Sequence, residues 1–119
     1  MHELSIASSI VATVSEYAGH PGVGKIVEVR IRVGALAGVS KDSLLFCYDI
    51  ASKDTVLEGS ALVVQELPVV IFCVPCTVER VLPSVQLFRC PVCNTPSGDI
   101  RQGRELEIES TVVDEYAST

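Results

Sequence analysis

Two Cys-x-x-Cys pairs constrain this chain more than any other feature. Cys73-Val74-Pro75-Cys76 is followed, after thirteen residues, by Cys90-Pro91-Val92-Cys93. Each pair can bend into a tight knuckle that presents two thiolates, and a hairpin between them brings the knuckles around one ion. Four soft sulfurs in a closed tetrahedral shell select zinc over hard cations. A thioredoxin-type redox motif normally comes once, at a strand-to-helix junction. Here the motif comes twice, prolines lie within it, and no helical periodicity follows either copy. Cys73, Cys76, Cys90 and Cys93 are therefore expected to hold a structural zinc, because an all-thiolate shell leaves no position for water or substrate.

The segment around these cysteines reads as an insertion over about residues 68–103, bounded by Pro68 and Gly103. A piece of this size cannot bury enough apolar surface to fold unaided. Metal binding supplies the difference, with apparent values of about 10–16 kcal/mol in zinc-finger peptides.

The remainder of the 119 residues suits one further compact region. Hydrophobic residues make up 48 % and tryptophan is absent, so Val, Ile and Leu fill the core. The formal charge of −6 opposes binding to a phosphate backbone, and no nucleic-acid partner is expected. Of five cysteines, four stand at metal spacing, unlike a secreted disulfide framework. The opening Met-His-Glu-Leu-Ser does not read as a signal peptide. The longest apolar run, Leu67 to Val74, contains Pro68 and is too short to cross a bilayer. A reducing, cytoplasmic setting without membrane attachment fits these features.

Periodicity gives an α+β pattern. Leu4, Ala7, Val11, Val14 and Ala18, widened by Ile10 and Tyr17, predict a helix over 3–19, stopped by Gly19-His20-Pro21-Gly22. Val27, Val29, Ile31 and Val33 alternate with Glu28, Arg30 and Arg32, which predicts a strand over 25–33 with one apolar and one charged face. Ser40 is a candidate N-cap for a second helix over 41–53, with Leu44, Cys47, Tyr48 and Ala51 on its apolar stripe. Further strands are predicted over 61–67, with Leu62 and Val64 inward, and over 104–113. In the last, Leu106, Ile108 and Val112 alternate with Glu105, Glu107 and Glu109. Opposite charges across neighbouring strands stabilise a sheet by roughly 0.2–1 kcal/mol per pair, so the basic first strand and the acidic last strand are expected to be neighbours.

His2 stands one residue from the amine of Met1. The amine, the deprotonated amide nitrogen of His2 and its imidazole can close around one ion, and Glu3 can add a backbone nitrogen or a carboxylate. Planar nitrogen-rich coordination suits Ni(II) or Cu(II). From these residues alone the signal is weak, because a lone exposed histidine near a terminus usually has no ligand role.

Met1-His2-Glu3-Leu4-Ser5-Ile6-Ala7, the two cysteine pairs and Gly103-Arg104-Glu105-Leu106-Glu107-Ile108 together resemble the HypA family of nickel-insertion proteins in [NiFe]-hydrogenase maturation. Gly34-Ala35-Leu36, Ser43-Leu44-Leu45-Phe46 and Glu58-Gly59 follow in family order. The resemblance implies two helices packed on one face of a three-stranded sheet, with an inserted four-cysteine zinc-ribbon-like lobe. It assigns residues 1–67 plus 104–119 to a nickel-binding lobe and 68–103 to a zinc-binding lobe. It also implies transported Ni(II) on the His2 side chain, with the Met1 amine and the backbone nitrogens of His2 and Glu3 contributing. The implied partners are a HypB-type GTPase and the hydrogenase large-subunit precursor, met by a monomer or weak homodimer that is not an enzyme. Unlike some members, this chain has no histidine in the zinc segment, so no nickel or zinc ligand of that kind is expected there.

Other residues are assigned no chemistry. His20 reads as a solvated turn residue, Cys47 as a small core residue, and Arg80, Arg89 and Arg101 as scattered charges. No Ser-His-Asp arrangement, phosphate-binding glycine loop or catalytic carboxylate pair stands out. The rival readings are a zinc-ribbon module that binds protein or nucleic acid, a thiol redox protein, and nickel delivery to urease.

Overall fold

The computed structural model describes residues 2–20 and 22–114. Helix α1 (Glu3–Ala18) buries Ile6, Ala7, Ile10, Val11 and Val14. The buried stripe is narrower than periodicity suggests, because Leu4 and Tyr17 are each 49 % exposed. Leu4 lies roughly 120° around the helix from Ile10, at the edge of the buried face. Tyr17 sits in the last turn, with its ring 6.5 Å from that of the exposed His20. Gly19 ends the helix, its N–H donating to the Ser15 carbonyl at 3.1 Å, and the His20 N–H donates to the Tyr17 carbonyl at 3.1 Å. Pro21, expected to help stop this helix, lies outside the described residues.

Strand β1 (Lys25–Gly34) buries Ile26, Val29, Ile31 and Val33. Alternation thus holds from Val29 onward, but at the start of the strand Ile26 is buried and Val27 is exposed. Helix α2 (Lys41–Ser52) starts at Ser40, whose Oγ accepts the N–H of Ser43 at 3.3 Å. It buries Leu44, Tyr48 and Ser52, while Cys47 and Ala51 are half-buried. Ser60 Oγ donates to the Leu57 carbonyl, so the buried Tyr48 hydroxyl at 2.6 Å is its donor.

Strands β2 (Ala61–Leu67) and β6 (Leu106–Asp114) flank β1 in a three-stranded sheet of order β2-β1-β6. The adjacency expected from charge is present: Arg32 Nη1 lies 3.1 Å from Glu107 Oε1. Arg30 pairs instead along its own strand with Glu28, at 2.5 Å. β6 starts two residues later than expected. Glu105 precedes it, and its backbone carbonyl accepts the Gly34 N–H at 2.7 Å.

The chain forms two compact units. The first comprises Met1–Ile31, Val39–Val64 and Ile108–Thr119, and within it α1 packs against α2. The second comprises Arg32–Gly38 and Gln65–Glu107. It holds β3 (Val70–Cys73), β4 (Val78–Val81) and β5 (Ile100–Gln102), antiparallel in the order β4-β3-β5. Val69, Ile71 and Leu82 form its core, with Leu36, Phe88 and Ile100 packed against them.

Within this second unit two backbone segments cross at van der Waals limits. A Cβ on Gly34 would coincide with the Gly103 backbone. Gly103 itself adopts φ 130°, a region that side chains disfavour. The Leu36 N–H donates to the Gly103 carbonyl at 2.7 Å, and the Ala35 N–H to the Leu67 carbonyl at 2.9 Å.

Candidate metal centre

Both cysteine pairs fold into the same knuckle. In the first, the Thr77 N–H donates to the Cys73 carbonyl at 2.8 Å, and Thr77 takes φ 57°. In the second, the Asn94 N–H donates to the Cys90 carbonyl at 2.8 Å, and Asn94 takes φ 62°. A left-handed residue after each pair reverses the chain and aims both sulfurs inward. Asparagine commonly adopts that conformation, so Asn94 is legible from its type. The β-branched Thr77 is not, and it is held partly by its own Oγ1 hydrogen bond to the Val74 carbonyl.

The four sulfurs converge. The Sγ atoms of Cys73, Cys76, Cys90 and Cys93 all lie within 4.8 Å of one another, and they form the one such cluster of three or more metal-ligating side chains among the described residues. Cys73 and Cys93 are 3.4 Å apart, and Cys76 and Cys90 are 3.9 Å apart. A tetrahedral ion with bonds of about 2.3 Å to sulfur requires sulfurs roughly 3.8 Å apart, so the cage has the size of a zinc tetrathiolate. Cys73 and Cys90 are buried, Cys76 is half-buried and Cys93 is exposed. The valines at the knuckle tips are open to solvent, Val74 at 73 % and Val92 at 69 %.

The four thiols are electrostatically unequal. The backbone N–H of Cys93, aided by that of Val92, pulls the Cys90 thiol down to about 6 against the opposing effect of burial. Thr95 lowers Cys93, through its hydroxyl and then its backbone. Around Cys73 the lowering effect of the Cys76 backbone is outweighed by burial and by the other three sulfurs, which push the thiol up to about 12. Neighbouring thiolates cannot all ionise without a cation among them, and a divalent metal removes that conflict.

At the amino end the residues are placed differently. His2 is the N-cap of α1, exposed, with extended backbone at φ −83° and ψ 132°, and its side chain makes no capping hydrogen bond. Its carbonyl accepts the Ile6 N–H at 3.2 Å. The amide nitrogens at the start of a helix have no intrahelical acceptor, so the nitrogens of His2 and Glu3 are not needed to form α1. The Glu3 carboxylate is engaged elsewhere: its Oε2 accepts the N–H of Ser40, the N-cap of α2, at 3.3 Å. Met1 lies outside the described residues. His20 and Cys47 join no metal cluster among the described residues. No described helix is long and apolar enough to cross a membrane.

Comparison with known proteins agrees with this picture. Residues 1–113 match the family model described as "Hydrogenase/urease nickel incorporation, metallochaperone, hypA". The hydrogenase maturation factor HypA of Chloroflexus aurantiacus is 50 % identical over 108 residues, covering 91 % of this chain and 95 % of the relative. That of Roseiflexus sp. is 44 % identical, covering 91 % and 88 %. The solution structure of the nickel metallochaperone HypA from Helicobacter pylori superposes with a TM-score of 0.65 at 23 % identity, covering 95 % of this chain and 97 % of that one. A second HypA solution structure gives 0.68 at 22 %, covering 97 % and 98 %. At those identities the two structures show likeness of fold.

Proposed function

Because this chain belongs to the HypA family of nickel-incorporation metallochaperones, we propose that it carries Ni(II) at its amino end and passes it to the [NiFe]-hydrogenase large-subunit precursor. The ligands in this reading are the His2 imidazole, the Met1 amine, and the backbone nitrogens of His2 and Glu3. Cys73, Cys76, Cys90 and Cys93 hold a separate, structural zinc. The protein works in the cytoplasm with a HypB-type GTPase and catalyses no reaction of its own.

The observation that carries the reading is the condition of His2: an exposed imidazole, free of any capping bond, beside amides that the helix does not use. A site held by few bonds at a chain end can be approached by an incoming ligand from outside, which suits transfer. Sulfur, by contrast, closes on all sides of its ion and suits permanent retention.

Isothermal titration of the zinc-loaded protein with nickel, beside the His2→Ala variant, tests this directly. Stoichiometric binding is expected in the parent and none in the variant, with far-ultraviolet circular dichroism unchanged. A variant with the parent's nickel affinity would overturn the assignment. The family description also names urease, so nickel delivery to apo-urease is the second reading. Adding the nickel-loaded protein to each apo-client separates the two.

A further inference from the structure

Strand β6 is an edge of its sheet, with β1 on one side and no strand on the other among the described residues. An edge leaves every second pair of main-chain N–H and C=O groups without a ladder partner, and so presents a template for one more strand. Along this edge lies a groove. Thr13, Val14 and Tyr17 of α1 line one side of it, and Ile108, Ser110 and Thr111 of β6 line the other. Its volume is about 260 Å³, below the roughly 300–1,000 Å³ of small-molecule sites, so it suits side chains of a larger partner. Val14 is buried, but Tyr17 is half-exposed, so apolar surface of the helix remains uncovered here.

Alternation dictates what an added strand must carry. Residues that stand opposite each other on neighbouring strands project to the same face. A strand beside β6 therefore turns every second side chain to the face of Ile108 and into the groove, where apolar ones lose water against Val14, Tyr17 and Ile108. The side chains between them turn to the face of Glu109, which is exposed. On α1, the exposed Glu16 stands beside Thr13 and Tyr17 on the helix surface, so the groove has a carboxylate on each side. Lys or Arg is the complement of both. One such pairing already exists: β1, whose apolar residues alternate with Arg30 and Arg32, is the strand that β6 accepts on its other side.

We propose that the open edge of β6 accepts an extended segment of a second protein, its apolar residues filling the groove and its intervening Lys or Arg residues meeting Glu109, with Glu16 adding to the attraction. In this mode main-chain hydrogen bonds supply affinity and the alternating side chains supply selection. A second copy of this chain is a poor occupant. Each copy carries a formal charge of −6, and pairing β6 with itself brings two Glu109 carboxylates to one short ladder. About 21 Å of helix separates Tyr17 from Glu3, so this surface is distinct from the proposed nickel ligands and its test is separate from theirs.

The probe is a synthetic peptide of residues 25–34, the sequence of β1, added to isotope-labelled, zinc-loaded full-length protein. Expected are NMR shift changes confined to residues 13–17 and 108–112, with slowed hydrogen exchange at alternate β6 amides. A peptide carrying Arg30→Glu and Arg32→Glu should bind at least about tenfold more weakly. Glu109→Lys in the protein should reverse that preference between the two peptides.

No binding of the first peptide, or equal binding of both peptides to the parent protein, overturns the proposal. So do shift changes throughout the resident β1, which would mark its displacement by the peptide. The same β6 shifts appearing with protein concentration alone would mark a second copy and overturn it as well. The two peptides need no protein variant, so their comparison decides the matter even if Glu109→Lys fails to fold.

Discussion

Single residues in this chain do chemistry that depends on their immediate partners. At Glu3, whose backbone nitrogen is the ligand in the proposed nickel site, one carboxylate oxygen, Oε2, accepts the Ser40 N–H. Asp99 shows how such pairing moves a titration. Hydrogen bonds from Arg101 hold the Asp99 carboxyl below the ordinary carboxylate range against desolvation, with the Arg101 charge a smaller lowering effect. A depressed folded-state value means that the pair stabilises at neutral pH, and that this contribution is lost as pH falls through the folded value of Asp99. Both groups are solvated, so the effect on stability is small. A carboxyl-carbon NMR titration is expected to place the Asp99 midpoint below that of a free aspartate, and Arg101→Gln should move it back upward.

Elements are set by caps and close crossings as much as by hydrophobic stripes. α2 begins where Ser40 turns its hydroxyl onto Ser43, and Ser40→Ala should cost about 1 kcal/mol in urea denaturation, the usual loss for such a cap. The Gly34–Gly103 crossing is less forgiving. A methyl at residue 34 would overlap the backbone of Gly103, and neither main-chain segment can step aside without breaking the Leu36–Gly103 or Gly34–Glu105 hydrogen bonds. Gly34→Ala should therefore destabilise the protein by more than about 1 kcal/mol, read as a lowered unfolding midpoint. Sequence showed both glycines as motif positions, but only the crossing explains why neither tolerates a side chain. The late start of β6 has the same origin: the Glu105 carbonyl is committed to Gly34 and its side chain accepts the Gly103 N–H at 2.8 Å.

At the scale of the whole molecule the proposal separates two ions by chemistry. Extending the amino end by several residues should remove nickel binding and leave zinc content unchanged, as measured by titration and by elemental analysis of the same samples. Equal nickel affinity in the extended protein would show that the amine takes no part. Much of this arrangement was readable in advance, because its signals are local. Cysteine spacing determined the cage, apolar periodicity determined the two helices, and alternating charge on 28–32 and 105–109 was enough to place β1 beside β6. The misreadings share one cause: periodicity says which residues can share a face, while burial depends on what arrives to cover it, as Leu4, Val27 and Tyr17 show. Folding in three dimensions alone decided that Glu3 reaches a residue 37 positions away and that Gly34 meets Gly103. Ligand type, capping and amphipathicity are written within a few residues of chain, whereas a contact between distant segments exists only where the backbone returns, and no spacing records that place.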